Sequence, residues 1–462
     1  MKKLFIYTII AGSFFLNVNG QEKETPPAGG QPHDFKLSEK KVTKLPNGLR
    51  TTMVHYGNVP KVTISLIVST GSINEAANEV GLAELTGKMI EQGSVKMDFK
   101  TLSKKVAAMG GTVFVAVGKE EINIGGSVLS EFAPEFIAAV ADVIRNPAMP
   151  ASELNRLKDN MKRDLAVDMT VPQSIAQQKF RKTLFKDHPY GRYFSSVEMI
   201  DAFTMQKVKD FYDKNFGAKR SSFYLAGKFD DAAVAAAINK AFGTWKPGPE
   251  ITSLPVNYAV KSQDTAIINR KDAPQTTLMI GLPTPGPKDK DYVTMYVTNS
   301  ILGGSFGSRI TSNIRESKGY TYSPFSSILN RRTVSVWSEV ADVTSEHTID
   351  ALQEIEKEIN RLKDEPPSEK ELKGIQNYLA GVFVLQNSTP NGIIGQLQFL
   401  DKYGLPDSYL TNFVKNVNAV TPQQVSDMVK NYLDYKKMTI VMVGDEEGIK
   451  KQIETKMPKK AF

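Results

Sequence analysis

The sequence predicts an α+β protein of two homologous domains, each an antiparallel sheet covered by helices. The main observation is an internal repeat: TMQKVKDFYDKNFGAKRSSFYLAGKFDD, starting at Thr204, aligns without a gap on TPQQVSDMVKNYLDYKKMTIVMVGDEEG, starting at Thr421. Each segment has the pattern of a helix, a basic turn and an apolar strand ending in glycine, at Gly227 and Gly444 respectively. The second observation is the proline-rich stretch 244–255, whose composition is typical of a linker between domains.

These observations place one domain at 35–245 and the other at 256–462, joined by a linker at 246–255. In the first domain, the pair Asn47-Gly48 is the signal of a hairpin turn, and residues 51–55 and 62–69 have strand patterns. The other predicted elements of this domain are helices at 81–92, 99–109 and 152–167 and a strand pair within 112–128.

The amino terminus has the layout of a secretory signal peptide over residues 1–20. Lys2 and Lys3 precede an apolar run at 4–16, and residues 18–20 offer a cleavage site before a flexible leader at 21–34. The run is too short for a membrane span, so we expect a periplasmic protein without a span after cleavage. An unprocessed amino-terminal anchor is the alternative.

The composition excludes several classes of protein. The chain has 58 basic and 50 acidic residues, a formal net charge of +8, and its charges of both signs are interspersed. A dense basic tract with aromatic residues, which would indicate a nucleic-acid partner, is missing from the sequence. The chain has 0 cysteines, which excludes a disulfide framework and a cysteine nucleophile.

The stretch 303–322, GGSFGSRITSNIRESKGYTY, is the part of the chain most typical of a functional site. Its glycines give backbone freedom before a short helical pattern, and Gly319 suits the left-handed position that ends a helix. Extended chain follows from residue 321. Arg315 therefore leaves the last helical turn, and Tyr322 follows seven positions later at the start of a strand, so both side chains can reach one cleft.

This stretch resembles the second-half signature of the pitrilysin/insulinase-like zinc metallopeptidases of M16 type, which include the mitochondrial processing peptidases. The family pattern is roughly SRL, three residues, LRE and then GLAYS, and Tyr320 departs from it mildly. The resemblance covers nearly all of the mature chain and implies a clam-like pair of domains around a cleft. It also implies that Arg315 and Tyr322 are catalytic and hold a peptide substrate, with Gly303, Gly304 and Ser308 as further substrate-binding residues.

The zinc motif of the same family is degenerate in this chain. The family places His-x-x-Glu-His in a phrase like GLAHFLEHM, on one helix face, with the glutamate as general base. This chain has GLAELTGKM, so Glu84 and Lys88 stand at the two ligand positions and Gly87 stands at the position of the general base. The distant glutamate ligand is also missing, with Asp164 near its place. We therefore expect no metal cofactor in this chain.

Other catalytic chemistries have little support in the sequence. GGSFG fits the pattern of a nucleophile elbow, but that elbow requires a preceding strand in a parallel sheet, so we interpret this segment as a tight turn. His188 we interpret as a packing residue that follows a helix.

The sequence therefore predicts a zinc-less subunit that supplies Arg315 and Tyr322 to a heterodimeric metalloendopeptidase. Its partner would be a homologue that carries the zinc ion and the His-x-x-Glu-His motif. The peptide would add to an edge strand at 111–117 or at the counterpart that we expect around 334–340. The alternatives are a catalytically inert scaffold and a stand-alone peptide-binding protein of the same fold.

Overall fold

The computed structural model describes residues 35–256 and 263–457, and its main strands form two sheets. The strands are β1 (Lys40–Lys44), β2 (Arg50–His55), β3 (Lys61–Val68), β4 (Gly93–Ser94), β5 (Met97–Asp98), β6 (Thr112–Val117), β7 (Ile122–Leu129), β8 (Ser221–Gly227), β9 (Asp264–Asn269), β10 (Gln275–Thr284), β11 (Phe325–Asn330), β12 (Ser335–Thr344) and β13 (Thr439–Gly444).

Helices cover both sheets. They are α1 (Leu82–Ile90), α2 (Phe99–Ala108), α3 (Ala133–Arg145), α4 (Leu154–Asp168), α5 (Pro172–Phe185), α6 (Val197–Asp201), α7 (Met205–Asn215), α8 (Asp231–Phe242), α9 (Tyr292–Leu302), α10 (Thr348–Asp364), α11 (Glu369–Gln386), α12 (Pro390–Tyr403), α13 (Ser408–Thr411), α14 (Phe413–Asn418), α15 (Pro422–Tyr432) and α16 (Glu446–Lys456). The predicted α+β fold class is confirmed.

The two sheets have the same strand order, which confirms the predicted repeat. The six-stranded sheet has the order β1-β2-β8-β3-β7-β6, and the five-stranded sheet has the order β11-β12-β10-β13-β9. Starting from β9, the second order places β9, β13, β10, β12 and β11 where the first has β2, β8, β3, β7 and β6. Gly227 and Gly444 therefore end equivalent strands.

Each sheet is antiparallel except for one pair, which the sequence did not predict. β2 is parallel to β8, and β9 is parallel to β13. In each half the parallel pair joins the first and the last of the five strands that the two sheets have in common. Parallel neighbours require a crossover connection, and the long stretch of chain between these two strands supplies it. The helices before β8 and β13 begin at equivalent caps, since the hydroxyls of Thr204 and Thr421 accept from backbone N–H groups of Lys207 and Gln424.

The two halves exchange helices. α5, from the first half, packs on β10 and β13 of the second sheet, where Phe180 and Leu184 join an apolar cluster with Met279 and Val441. α12, from the second half, packs on β3 and β8 of the first sheet. This exchange holds the halves together. The segment 246–255 between them contains no helix or strand, and the domain boundaries at 245 and 256 stay predictions.

A buried ion pair links the halves at Glu120. Its carboxylate lies 2.8 Å from Lys402 Nζ on α12, and it accepts hydrogen bonds from the Tyr190 hydroxyl and from the Arg332 backbone N–H. Burial raises the pKa of Glu120, but the charge of Lys402 and these hydrogen bonds outweigh it, so the pKa lies below the usual 4.5. Glu120 is therefore ionised at neutral pH.

We expect Glu120→Ala to lower the free energy of unfolding by about 3 kcal/mol at neutral pH, because it removes the nearer carboxylate of Lys402 and the acceptor of the Tyr190 and Arg332 hydrogen bonds. Glu121→Ala is the control: Glu121 contacts the same lysine but is 36% exposed, and its loss should cost less than about 1 kcal/mol. Since the pKa of Glu120 is depressed, its contribution is complete above pH 4.5 and is lost as the pH falls through the lowered pKa. Denaturant unfolding at neutral and acidic pH measures both effects; equal costs of the two variants would contradict this assignment.

Among the described residues, no helix combines the length and apolar character that a membrane crossing requires. The predicted signal peptide and leader lie outside the described residues.

Candidate functional site

The helix predicted within 303–322 is a π-helical turn, Thr311–Ser317. Its wider spacing shows in the hydrogen bond from the Lys318 N–H to the Asn313 carbonyl, five residues back, at 3.0 Å. Gly319 ends the turn with a φ of 67°, in the left-handed region that the sequence predicted. The strand starts later than predicted: β11 begins at Phe325, and Tyr322 lies at a bend before it, next to the isolated bridge between Thr321 and Val343.

Two polar contacts hold this turn on the helices behind it. Arg309 binds both oxygens of Glu371 on α11, at 2.8 and 3.0 Å. The Asn313 side chain donates to Glu354 and Glu358 of α10, at 2.8 and 2.7 Å. The bidentate arginine pair is both strong and directional, so the turn is a fixed support for the residues that point away from the core.

The structure brings Arg315 and Tyr322 into direct contact. The Arg315 guanidinium lies 4.7 Å from the centre of the Tyr322 ring and 4.5 Å from the centre of the Phe306 ring. Its Nε also lies 3.0 Å from the Glu316 carboxylate. Tyr322 is 77% exposed, so stacking on the cation holds a ring that is otherwise open to solvent.

Phe306 is a member of this cluster that sequence reasoning missed. It is 70% exposed and stacks on Arg315 from the glycine loop that follows α9. Its signal in the sequence was a large aromatic residue among small ones in GGSFGS. The cation between two exposed rings makes a surface that can contact a peptide through hydrogen bonds and apolar area.

The glycine loop itself is set by close packing against buried polar groups. A Cβ atom on Gly303 would lie 2.5 Å from a Glu339 carboxylate oxygen, and one on Gly304 would lie 2.3 Å from the Asn299 amide. Burial raises the pKa of Glu339 well above its usual value, which favours the protonated form of this carboxyl. The loop follows a helix rather than a strand, which agrees with a turn and not with a nucleophile elbow.

Ser308, expected to bind substrate, lies in the interior. It is 1% exposed, and its hydroxyl donates to the Thr311 hydroxyl at 2.9 Å, where it supports the start of the π-helical turn. A peptide at the surface of Arg315 and Tyr322 has no access to it. Gly303 is buried as well, whereas Gly304 is half-buried, so of these three residues only Gly304 stays an expected peptide contact.

The degenerate metal positions lie on α1 and do not fit a zinc ion. Lys88 Nζ lies 3.4 Å from a Glu84 oxygen, so an ammonium group stands where a ligand would be needed. At Gly87 a Cβ atom would lie 2.2 Å from Val117 Cγ2, so β6 fills the space that a general base would need. Asp164 lines the same cavity, but the described residues contain no group of three suitable ligands.

Family profiles cover most of the two halves. The profile of insulinase, peptidase family M16, matches residues 50–196. The profile of the peptidase M16 inactive domain matches residues 202–379. This chain belongs to peptidase family M16. The resemblance that the sequence predicted is thereby confirmed.

Similar proteins share the M16 fold over most of this chain. An uncharacterized zinc protease of Mycobacterium leprae is 23% identical over 396 residues, covering 85% of this chain and 89% of the relative. A crystal structure titled peptidase M16 inactive domain, from Pseudomonas fluorescens, superposes with a TM-score of 0.80 at 24% identity, covering 88% of this chain and 98% of that one. The periplasmic protease PqqL of Escherichia coli gives a TM-score of 0.77 at 16% identity, covering 96% of this chain but 49% of that one.

We expect Gly87→Ala to destabilise this M16 chain by about 1 to 3 kcal/mol, because the added methyl meets Val117 on β6. Gly381→Ala on α11 is the matched control: its Cβ meets nothing within 4 Å, so it should be neutral or slightly stabilising. Thermal or denaturant unfolding of both variants checks this. A Gly87→Ala variant as stable as the parent chain would show that the wall of α1 and β6 has room for a base.

Each sheet has two edge strands, β1 and β6 in the first half and β11 and β9 in the second. β6 is the last strand of the first sheet, as the predicted edge at 111–117 requires. The expectation of a second edge around 334–340 is wrong, because those residues belong to β12, which pairs with β10 on one side and β11 on the other. The equivalent of β6 is β11. Its first residue, Phe325, is 55% exposed and follows Tyr322 closely in the sequence.

Proposed function

We propose that this chain is the non-zinc subunit of a heterodimeric, periplasmic M16 metalloendopeptidase. The observation that carries the proposal is the contrast between its two halves. The first lacks the His-x-x-Glu-His motif and, among the described residues, any group of three metal ligands, whereas the second keeps Arg315 stacked against the exposed ring of Tyr322. An exposed ring held on a cation in this way is more useful to a substrate than to the stability of the fold.

Tyr322 and Arg315 have separate roles in the proposed reaction. The Tyr322 hydroxyl donates to the peptide carbonyl oxygen that becomes negative in the tetrahedral intermediate. Arg315 orients the tyrosine ring by stacking and donates from its free N–H groups to nearby peptide carbonyls. In this division of labour the zinc ion, its activated water and the general base belong to the partner subunit.

The peptide substrate would be held as an additional strand. β6 and β11 are both edge strands, and main-chain hydrogen bonding to an edge is independent of side-chain sequence. On β11 the Ser326 N–H already donates to the Gly303 carbonyl, so a peptide would pair with the rest of that strand. β11 is the more direct choice for a peptide that must also reach Tyr322, since only two residues separate them in the chain.

Two further observations support the location and the partner. The predicted signal peptide at 1–20 indicates export, and the E. coli protein PqqL, named a periplasmic protease, has the same fold. This chain also covers 49% of PqqL, which leaves about half of that longer chain outside the match. A second chain of similar length would supply the remainder in a heterodimer.

Co-expression with a zinc-bearing M16 homologue from the same cell tests the proposal. We expect a complex of the two chains that contains one zinc ion per pair, measured by size-exclusion chromatography and metal analysis, whereas this chain alone binds none stoichiometrically. Tightly bound zinc in this chain alone, or failure to form a complex with any zinc-bearing homologue of that cell, would contradict the proposal.

An inert scaffold is the competing function within the family. The exposed cluster of Arg315, Phe306 and Tyr322 argues against it, since large exposed aromatic groups around a cation serve contact with another molecule. A stand-alone peptide-binding protein would use the same cluster without a partner, and the complex described above distinguishes the two.

A further inference from the structure

A cavity of about 530 Å³ occupies the region of the degenerate metal motif. α1 contributes Gly87 and Lys88 to its wall, and α4, α5 and the end of β6 contribute further residues. Arg331, from the turn after β11 in the second half, also lines it. The degenerate motif therefore faces an open space between elements of both halves.

Four cations line this cavity, and one of them, Lys88, pairs with Glu84. The other three are Lys119 after β6, Arg181 on α5, and Arg331. Lys119 Nζ donates to the Arg192 carbonyl at 2.8 Å, and the Arg331 guanidinium lies 6.0 Å from the Tyr190 ring. Arg181 stacks on Tyr193, and its Nε is buried without a hydrogen-bond partner in the described residues. Nor does any of the three cations form a salt bridge in that part of the chain.

In the cavity, burial and the mutual repulsion of these positive charges lower the pKa values of Lys119 and Arg181. Burial, aided by the charges of Arg181 and Arg331, lowers the pKa of Lys119 to about 8, although Glu75 opposes this. Burial and the charge of Arg331 lower the pKa of Arg181 to about 10. Burial also raises the pKa of Glu75 to about 7, so the carboxyl that acts on Lys119 is itself only partly ionised at neutral pH. An incoming anion would relieve this repulsion.

The opposite wall limits how much negative charge the cavity accepts. It carries carboxylates from α1 and α4, namely Glu84, Glu91, Asp164 and Asp168. These groups repel a ligand with several negative charges, such as a polyphosphate, but have little effect on a single carboxylate placed against the cations. A peptide's C-terminal carboxylate is followed by no further residues, so only the chain that precedes it has to fit in the cavity. An internal acidic residue would need room for the backbone on both of its sides.

We propose that this cavity binds the C-terminal carboxylate of a peptide through Lys119, Arg181 and Arg331. The inference rests on the peptide ligand of the proposed function, but it requires neither the zinc-bearing partner nor the pair Arg315 and Tyr322. In this arrangement the chain has exchanged a metal site for an anion site in the same place. It can then anchor a peptide whose free end carries one negative charge.

The test uses the full chain alone and a short peptide with neutral side chains and an N-terminal fluorophore. Fluorescence anisotropy at low salt and neutral pH compares the free acid with its C-terminal amide. We expect the acid to bind about tenfold more tightly or better, since charge-assisted hydrogen bonds are lost with the amide. Arg331→Gln and Arg181→Gln should each abolish most of this preference.

Lys182→Gln is the control, since this lysine neighbours Arg181 on α5 but is 64% exposed and should leave the preference intact. Circular dichroism establishes that each variant is folded, and Arg331→Gln alone suffices if Arg181→Gln is not. Equal binding of acid and amide, no measurable binding of the acid, or a preference that survives in a folded Arg331→Gln variant would overturn the proposal. So would equal binding of an amide with an internal glutamate. None of these results depends on the heterodimer, whose failure would appear as a missing complex.

Discussion

Tyr322→Phe should lower the turnover number of the heterodimer by about ten- to a thousand-fold, with the complex and its zinc content unchanged. Phenylalanine keeps a ring that stacks on the Arg315 guanidinium, so the local geometry survives. It removes the hydroxyl, which is the group proposed to stabilise the developing oxyanion. Because that interaction strengthens in the transition state, the loss should appear in kcat and only weakly in KM. Steady-state kinetics with a fluorogenic peptide separates the two constants.

Tyr378→Phe is the matched control for this variant. Tyr378 lies on α11 and is 49% exposed, so it loses a hydroxyl of comparable exposure away from the proposed site. Its turnover should equal that of the unmodified complex. Equal turnover in the unmodified, Tyr322→Phe and Tyr378→Phe complexes would mean that the Tyr322 hydroxyl takes no part in the reaction. The scaffold function would then explain the chain better.

Arg315→Ala should raise KM by about ten- to a hundredfold and also lower kcat. The change removes a charged donor for peptide carbonyls and the cation on which Tyr322 and Phe306 stack. Arg315→Lys should recover part of the binding but little of kcat, since an ammonium group lacks the planar face that orients two rings. The same kinetic assay measures both variants.

Lys318→Ala controls for the loss of a positive charge near the cluster. Lys318 follows the π-helical turn and its side chain is 41% exposed, close to Glu354 rather than to the aromatic rings. It should leave both constants nearly unchanged. If Arg315→Ala and Lys318→Ala behave alike, the effect is one of net charge, and the specific role of the stacked arginine is wrong.

Local signals predicted much of the fold. The repeat at Thr204 and Thr421 anticipated two equivalent helix caps and strands, and Gly319 anticipated a left-handed residue at the end of a helix. These features depend on residues close together in the chain, where propensity and capping act. The spacing of Arg315 and Tyr322 predicted only that both side chains can reach one cleft; their stacking contact was not predicted.

Features set by distant contacts were not predictable. The sheet on which α5 and α12 pack depends on the fit between apolar faces. The helical pattern around Phe180 would be the same whichever sheet α5 packed on. The edge strand was misplaced because the apolar run of β12 suggests a strand but not its neighbours. Burial of Ser308 and the cavity around Arg181 and Arg331 arise from tertiary packing alone.

The most direct test of the central claim is the peptidase rate of this chain mixed in equal amounts with its zinc-bearing homologue. The account predicts that each chain alone is inactive and that the mixture cleaves peptides, with activity that saturates at a one-to-one ratio and is lost with a zinc chelator. A mixture no more active than the zinc-bearing homologue alone would contradict it.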